Sequence, residues 1–346
     1  MPRRLRFVPE GGLVELTART VQGRFLLKPG PGWTETFVGI LARAQELYPV
    51  RLHAFVAMSN HLHLLASPDD AQQLAAFMRH VLTNVSKEAG RRHRWRGPLF
   101  ERRYHAIVVT DEQYAHVERL TYILRHGAKE NLVARPEEWP GPHCAKALRT
   151  GEPVEGAWIS RTAQWVAKNR GQKLSDEQAS IPCVLQLEPL PCWAHWSPER
   201  YQRQIAEILA RIEEETAERH RREETAPLGV TEILAQHPHA APNKPKRAPA
   251  PLVHAASRKM RREFYALYAA FVGAFYEAVE RLKAGVRDPE FPDGAFPPPL
   301  LLAPVTGVNY SVRSTTTTLA GVLPRRRRGC GSCGSCGNRV AISREG

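Results

Sequence analysis

His61-Leu62-His63 is the triplet of this chain whose residue types and spacing point most directly to chemistry. On a β-strand, alternate side chains project to the same face, so both imidazoles point one way while Leu62 points toward a core. Two neutral imidazoles side by side can bind a divalent cation. A solvated strand face that happens to carry two histidines is the plainer alternative. Tyr122 and His126 make a second pair. Four residues apart on a helix, they share one face. If that helix lies beside the histidine strand, His126 offers a third nitrogen and Tyr122 stands one turn from the ion. A protonated phenol is a weak nucleophile, whereas a nearby cation favours the phenolate and polarises a phosphate oxygen. Val117, Leu120 and Ile123 on the same segment leave open the other reading, in which Tyr122 is a core aromatic.

Arg91, Arg92, Arg94, Trp95 and Arg96, continued by Arg102, Arg103 and Tyr104, interleave cations with aromatics. Guanidinium groups hold phosphates and rings stack on unpaired bases, which suits a single-stranded nucleic acid. The whole chain favours a polyanionic partner: its 346 residues carry a formal net charge of +14 and a pI near 9.8, so its long-range field attracts phosphates. The arginine run at 325–328 contributes, but Arg3, Arg4, Arg51 and Arg79 place charge in the first half too. The most apolar run, residues 264–276, falls short of the roughly 20 residues that span a bilayer, so no membrane partner is expected. The start, Met1-Pro2-Arg3-Arg4, is not followed by the apolar stretch of a secretory leader, and the six cysteines do not resemble a disulfide framework. A cytoplasmic protein is expected. Cys330, Cys333 and Cys336 have spacing compatible with zinc, but their Gly/Ser-rich setting reads better as a flexible tail whose arginines add nonspecific DNA affinity.

These side chains need elements to position them. Residues 14–20 alternate in the manner of a half-buried strand, and 34–48 show helical spacing of Phe37, Ile40, Leu41 and Leu47. Residues 52–66 read as a hairpin interrupted at Ser59-Asn60, and 69–88 as a helix capped by Asp69 or Asp70. A basic loop at 91–98 and a strand at 104–109 follow, then a helix from Thr110-Asp111-Glu112 to about Gly127. The alternation of strands and helices predicts an α+β domain, a small sheet with helices on one face. Beyond it, 201–224 and 258–284 are helical, joined by a Pro/Ala/Lys linker at 240–251. The predicted organisation is a domain over 1–145, a mostly helical accessory region over 146–290, and a low-complexity, disordered basic tail over 291–346.

The order of motifs resembles a known family. Met58-Ser59-Asn60-His61-Leu62-His63-Leu64-Leu65 resembles the HUH segment of single-tyrosine HUH transposases, and of their REP-associated tyrosine transposase branch in particular. Gly97-Pro98-Leu99-Phe100-Glu101-Arg102-Arg103-Tyr104-His105 is similar to the segment ahead of the last catalytic helix. Tyr122-Ile123, followed by Ala128-Lys129-Glu130-Asn131-Leu132-Val133, resembles the helix end that carries the family nucleophile. The likeness spans about residues 7–145. It implies a ferredoxin-like antiparallel sheet, His61 and His63 as ligands of Mg2+ or Mn2+, and Tyr122 as nucleophile. It further implies cleavage and rejoining of single-stranded or hairpin DNA through a 5′-phosphotyrosine, and it admits a homodimer. His126 departs from the Asn or Gln usual one turn after the tyrosine; an imidazole there still coordinates, with a preference moved from Mg2+ toward Mn2+. Tyr104 is the rival nucleophile, and a domesticated relative that grips structured nucleic acid without cutting it is the rival function.

Overall fold

The computed structural model describes residues 4–242 and 250–298. Strand β1 (Val14–Arg19), helix α1 (Trp33–Leu47), strands β2 (Arg51–Ala57) and β3 (His61–Ser67), helix α2 (Ala71–His93) and strand β4 (His105–Val109) follow one another in that order. The strands lie side by side as β2-β3-β1-β4, each antiparallel to its neighbour. This is the ferredoxin-like sheet expected from the sequence. A tight turn joins β2 to β3, closed by the Met58 N–H donating to the His61 carbonyl at 2.8 Å. Helix α2 starts at Asp70, whose carboxylate accepts from the Gln73 N–H at 2.7 Å and satisfies a first-turn amide that has no partner within the helix.

Helices α1 and α2 pack side by side, and Phe37 of α1 meets Phe55 of β2 with ring centroids 6.4 Å apart. Phe55 pairs with Leu64 across the sheet, so this is the face that receives Leu62 and Leu64. Helix α3 (Gln113–Leu124) packs on β2, β3 and β4 from the other side, where Arg119 reaches Glu15 of β1. Strand β1 is therefore covered on both faces. Glu15, which strand alternation would send to solvent, is only 2% exposed.

Later segments join the same body. Helix α4 (Ala145–Thr150), strand β5 (Val154–Ile159), helix α5 (Arg161–Asn169), strand β6 (Ser180–Leu185), helices α6 (Pro198–Glu223) and α7 (Val230–Ala235), strand β7 (Val253–His254) and helix α8 (Arg258–Lys283) complete the order. Strands β5 and β6 form an antiparallel pair laid on α1. A Cβ on Gly39 would lie 2.2 Å from the Ala157 carbonyl oxygen, and one on Gly156 would lie 2.5 Å from the Gly39 nitrogen. The two glycines thus permit backbone-to-backbone contact that no side chain would. Strand β7 adds to β4 in parallel, with Val108 opposite Val253 and Val109 opposite His254, making a five-stranded mixed sheet. The stretch from 146 to 290 thus contributes strands as well as the helices expected of it. Two residues are too few to display a strand period, which is why β7 is invisible in the sequence.

The hydrophobic core runs from Leu16 and Leu64 of the sheet to Trp193, Ile205 and Ile208 of the later elements. Residues 291–298, read from sequence as the start of a disordered tail, pack on the fold. Phe291 meets Phe275 at 5.2 Å, and the Val8 N–H donates to the Gly294 carbonyl at 3.1 Å. The zinc candidates Cys330, Cys333 and Cys336, the arginine run and residues 243–249 of the linker lie outside the described residues. Among the described residues, no helix is long and apolar enough to cross a membrane.

Candidate metal and nucleophile site

Strand geometry puts His61 and His63 on the face of β3 that meets α3. In register, His61 lies opposite Arg19 and His63 opposite Thr17 of β1, with Val56 of β2 on the other flank of His63. Tyr122 occupies the last turn of α3, which ends at Leu124, short of the expected stop at Gly127. His126 follows in a tightened turn, its N–H directed at the Ile123 carbonyl at 3.3 Å. Gly127 then takes φ = +89°, a left-handed conformation that turns the chain away. The tightened turn keeps the two side chains together: the Tyr122 and His126 rings are 4.8 Å apart.

The three imidazoles converge. Ring centroids lie 5.1 Å apart for His61 and His63, 5.6 Å for His61 and His126, and 4.5 Å for His63 and His126. One ring nitrogen of each lies within 4.8 Å of the others. In every ring Nδ1 faces an oxygen: Asn60 Oδ1 at 2.6 Å from His61, Glu15 Oε1 at 2.8 Å from His63, and the Ile123 carbonyl at 3.3 Å from His126. An acceptor on Nδ1 holds the proton there and leaves the Nε2 lone pair free for a cation, the usual arrangement around a metal-bound histidine. Burial, and then the neighbouring His63, lower the pKa of His61 and of His126 well below the ordinary imidazole range. Both are neutral at pH 7 and need lose no proton to coordinate. Three imidazole nitrogens around one point are a donor set that fits a divalent cation.

The half-buried Tyr122 ring sits 5.6 Å from His63, with Arg119 4.7 Å and Lys129 4.1 Å from its centroid. Behind His63, a buried carboxylate escaped the sequence reading. Glu15 contacts His254 Nε2 at 2.9 Å and Arg119 at 3.6 Å through its second oxygen. Burial pushes the Glu15 carboxyl up, but the contacts with His254 and His63 outweigh it and hold the group below the usual carboxylate range. Nothing in the sequence marks Glu15 or His254, because the contact that joins them spans the fold.

The basic segment is less uniform than its sequence. Arg91, Arg92 and His93 are the last turn of α2, not part of a loop, and the chain leaves the helix at Arg94 with φ = +51°. Arg91 is paired with Glu88 at 2.6 Å, Arg92 donates to the Pro31 carbonyl at 2.8 Å, and Arg103 donates to the Arg4 carbonyl at 2.8 Å. Arg102 lies 4.0 Å from Glu101. Arg94 and Arg96 are exposed and with Trp95, Lys87 and Arg91 line one groove. The Trp95 indole N–H donates to the Pro98 carbonyl at 3.2 Å. Tyr104 must be withdrawn from the stacking set: it is 6% exposed and Arg6 lies over its ring at 4.5 Å. It shares no ring contact with the histidines, and burial raises the pKa of its phenol.

Residues 25–125 match the family model described as "Transposase IS200 like". Over this segment the chain is similar to the IS200-like transposases. The matched segment contains His61, His63 and Tyr122 and stops just before His126; Glu15 and His254 lie outside it. The family expected from the sequence motifs is borne out. Among solved structures, this chain is similar to a REP-associated tyrosine transposase bound to a REP hairpin, at 16% identity over 44% of this chain and 90% of that one, with a TM-score of 0.37. It is also similar to a Deinococcus radiodurans r1 protein described as a transposase, at 15% identity over 32% of this chain and 87% of that one, with a TM-score of 0.24. No curated protein gives a significant match.

Proposed function

We propose that this protein is a transposase that cleaves and rejoins single-stranded DNA at hairpin-containing sites, with Tyr122 as nucleophile and a divalent cation held by His61, His63 and His126. The observation that carries the reading is the convergence of one phenol ring on three imidazoles, 4.8 Å from His126 and 5.6 Å from His63. The hairpin preference rests on the motif resemblance. Tyr122 Oη attacks the scissile phosphorus and gives up its proton; the P–O3′ bond breaks, and the leaving oxygen takes up a proton to become a free 3′-hydroxyl. The 5′-phosphate stays on Tyr122. Attack by a 3′-hydroxyl forms a new P–O3′ bond and releases the phenol, so each exchange trades one phosphodiester for another without an external energy source. When bound, the cation supplies Lewis-acid polarisation of the phosphate oxygen. Three imidazoles favour Mn2+ over Mg2+. Arg119 and Lys129 add fixed positive charge beside the ring, where negative charge gathers in the transition state. The groove lined by Arg94, Trp95 and Arg96 receives the flanking single strand.

The test is a covalent adduct. A hairpin-bearing single strand labelled at its 3′ end, mixed with the full chain and Mn2+, should leave label on the protein in a denaturing gel. Tyr122→Phe should abolish the adduct while sparing binding, and Tyr104→Phe should keep both. An undiminished adduct in Tyr122→Phe refutes the assignment. Salt-sensitive binding with no adduct on any hairpin would instead establish a binder that does not cut.

A further inference from the structure

Glu15 is nearly inaccessible to solvent, and a carboxylate in such a place persists only where partners compensate its lost hydration. Its partners come from three separate parts of the chain. Oε1 accepts from His63 Nδ1 at 2.8 Å. Oε2 lies 2.9 Å from His254 Nε2 and 3.6 Å from Arg119 Nη1, and those two side chains approach each other at 3.4 Å. Arg119 in turn stands over Tyr122. His254 is placed by β7, which is anchored to the edge of β4 by Val108 N–H donating to Leu252 O and Thr110 N–H donating to His254 O, at 3.3 and 2.9 Å. A strand from the far end of the described chain therefore reaches the back of the histidine cluster.

We infer that Glu15 is a positioning residue that aims His63 at the cation, and that His254 of β7, together with Arg119, holds Glu15 in place, so the accessory region completes the metal site. The inference rests on the reading of His61, His63 and His126 as ligands. An acceptor on the far nitrogen fixes a ligand imidazole's tautomer and ring angle and raises its basicity, and losing such a partner lowers metal affinity roughly 10–100-fold.

The test uses the full chain and Mn2+ alone, with free Mn2+ read by electron paramagnetic resonance well below the melting temperature of each variant. Glu15→Ala and His254→Ala should each weaken Mn2+ binding by roughly 10–100-fold. His254→Gln, which keeps a donor near the Nε2 position, should restore most of it. Val253→Ala perturbs the same strand without touching Glu15; it should lower the melting temperature and leave Mn2+ affinity unchanged. If Glu15→Ala fails to fold, the three β7 variants still decide. Unchanged affinity in folded His254→Ala, or an equal loss in Val253→Ala, overturns the inference alone. A wild-type chain that binds no Mn2+ overturns the metal reading and this inference with it.

Discussion

His126 is the ligand on which the proposed site depends most, because it follows the helix end rather than sitting on the strand with the other two. Its removal can be read through stability. A cation that binds only the folded chain stabilises it by RT ln(1 + [M]/Kd), about 2.7 kcal/mol when the metal is at 100 times Kd. For a chain of this size that is a rise in melting temperature of about 4 °C. The three ring nitrogens lie within 4.8 Å of one another, so His126→Ala removes one of three donors and should cost at least the ~100-fold at the upper end of outer-shell losses. At the same Mn2+ concentration the remaining linkage is about 0.4 kcal/mol, a shift of ~1 °C. The imidazole is 1% exposed, so the metal-free variant should itself be less stable by roughly 1–3 kcal/mol, and the comparison must be the Mn2+-induced shift within each protein. Differential scanning fluorimetry across a Mn2+ series measures it. A variant that keeps the full wild-type shift would refute coordination by His126 and reduce the site to the strand pair.

Two further outcomes follow from the geometry. His53, in the bulge of β2, is buried against the carbonyls of Glu188 and Pro189 and the Ser67 hydroxyl; burial pushes its pKa down to about 4 against the opposing pull of those carbonyls. A base held neutral in the fold contributes stability that is full above the unfolded value near 6.5 and is lost as pH falls toward 4, roughly 3 kcal/mol for this group; denaturant midpoints that stay flat between pH 7 and pH 4.5 would contradict it. In single-strand binding, Arg94→Ala and Arg96→Ala should each reduce the slope of log K against log salt by about 0.7, whereas Arg91→Ala and Arg92→Ala should change it less, their guanidinium groups being engaged by Glu88 and by the Pro31 carbonyl; four equal effects would remove the distinction between free and tethered arginines.

By itself the sequence determined the local pieces. A period of two put His61 and His63 on one face of a strand and helical spacing put Tyr122 near His126, because both depend only on near neighbours; the order of strands and helices gave a small α+β sheet with helices on one face, and the motif resemblance made it ferredoxin-like. Tertiary structure decided everything that depends on what covers a surface. Helix α3 turned the outer face of β1 into interior, making Glu15 a buried carboxylate. Tyr104 became a core ring beneath Arg6, and Arg91 and Arg92 were drawn onto a helix end and given partners. The two-residue strand β7 acquired meaning only by pairing with β4, where it carries His254 to the site. Side-chain alternation along a strand says which residues share a face; only packing says whether that face meets water, and a carboxylate beside a histidine changes its chemistry with the answer.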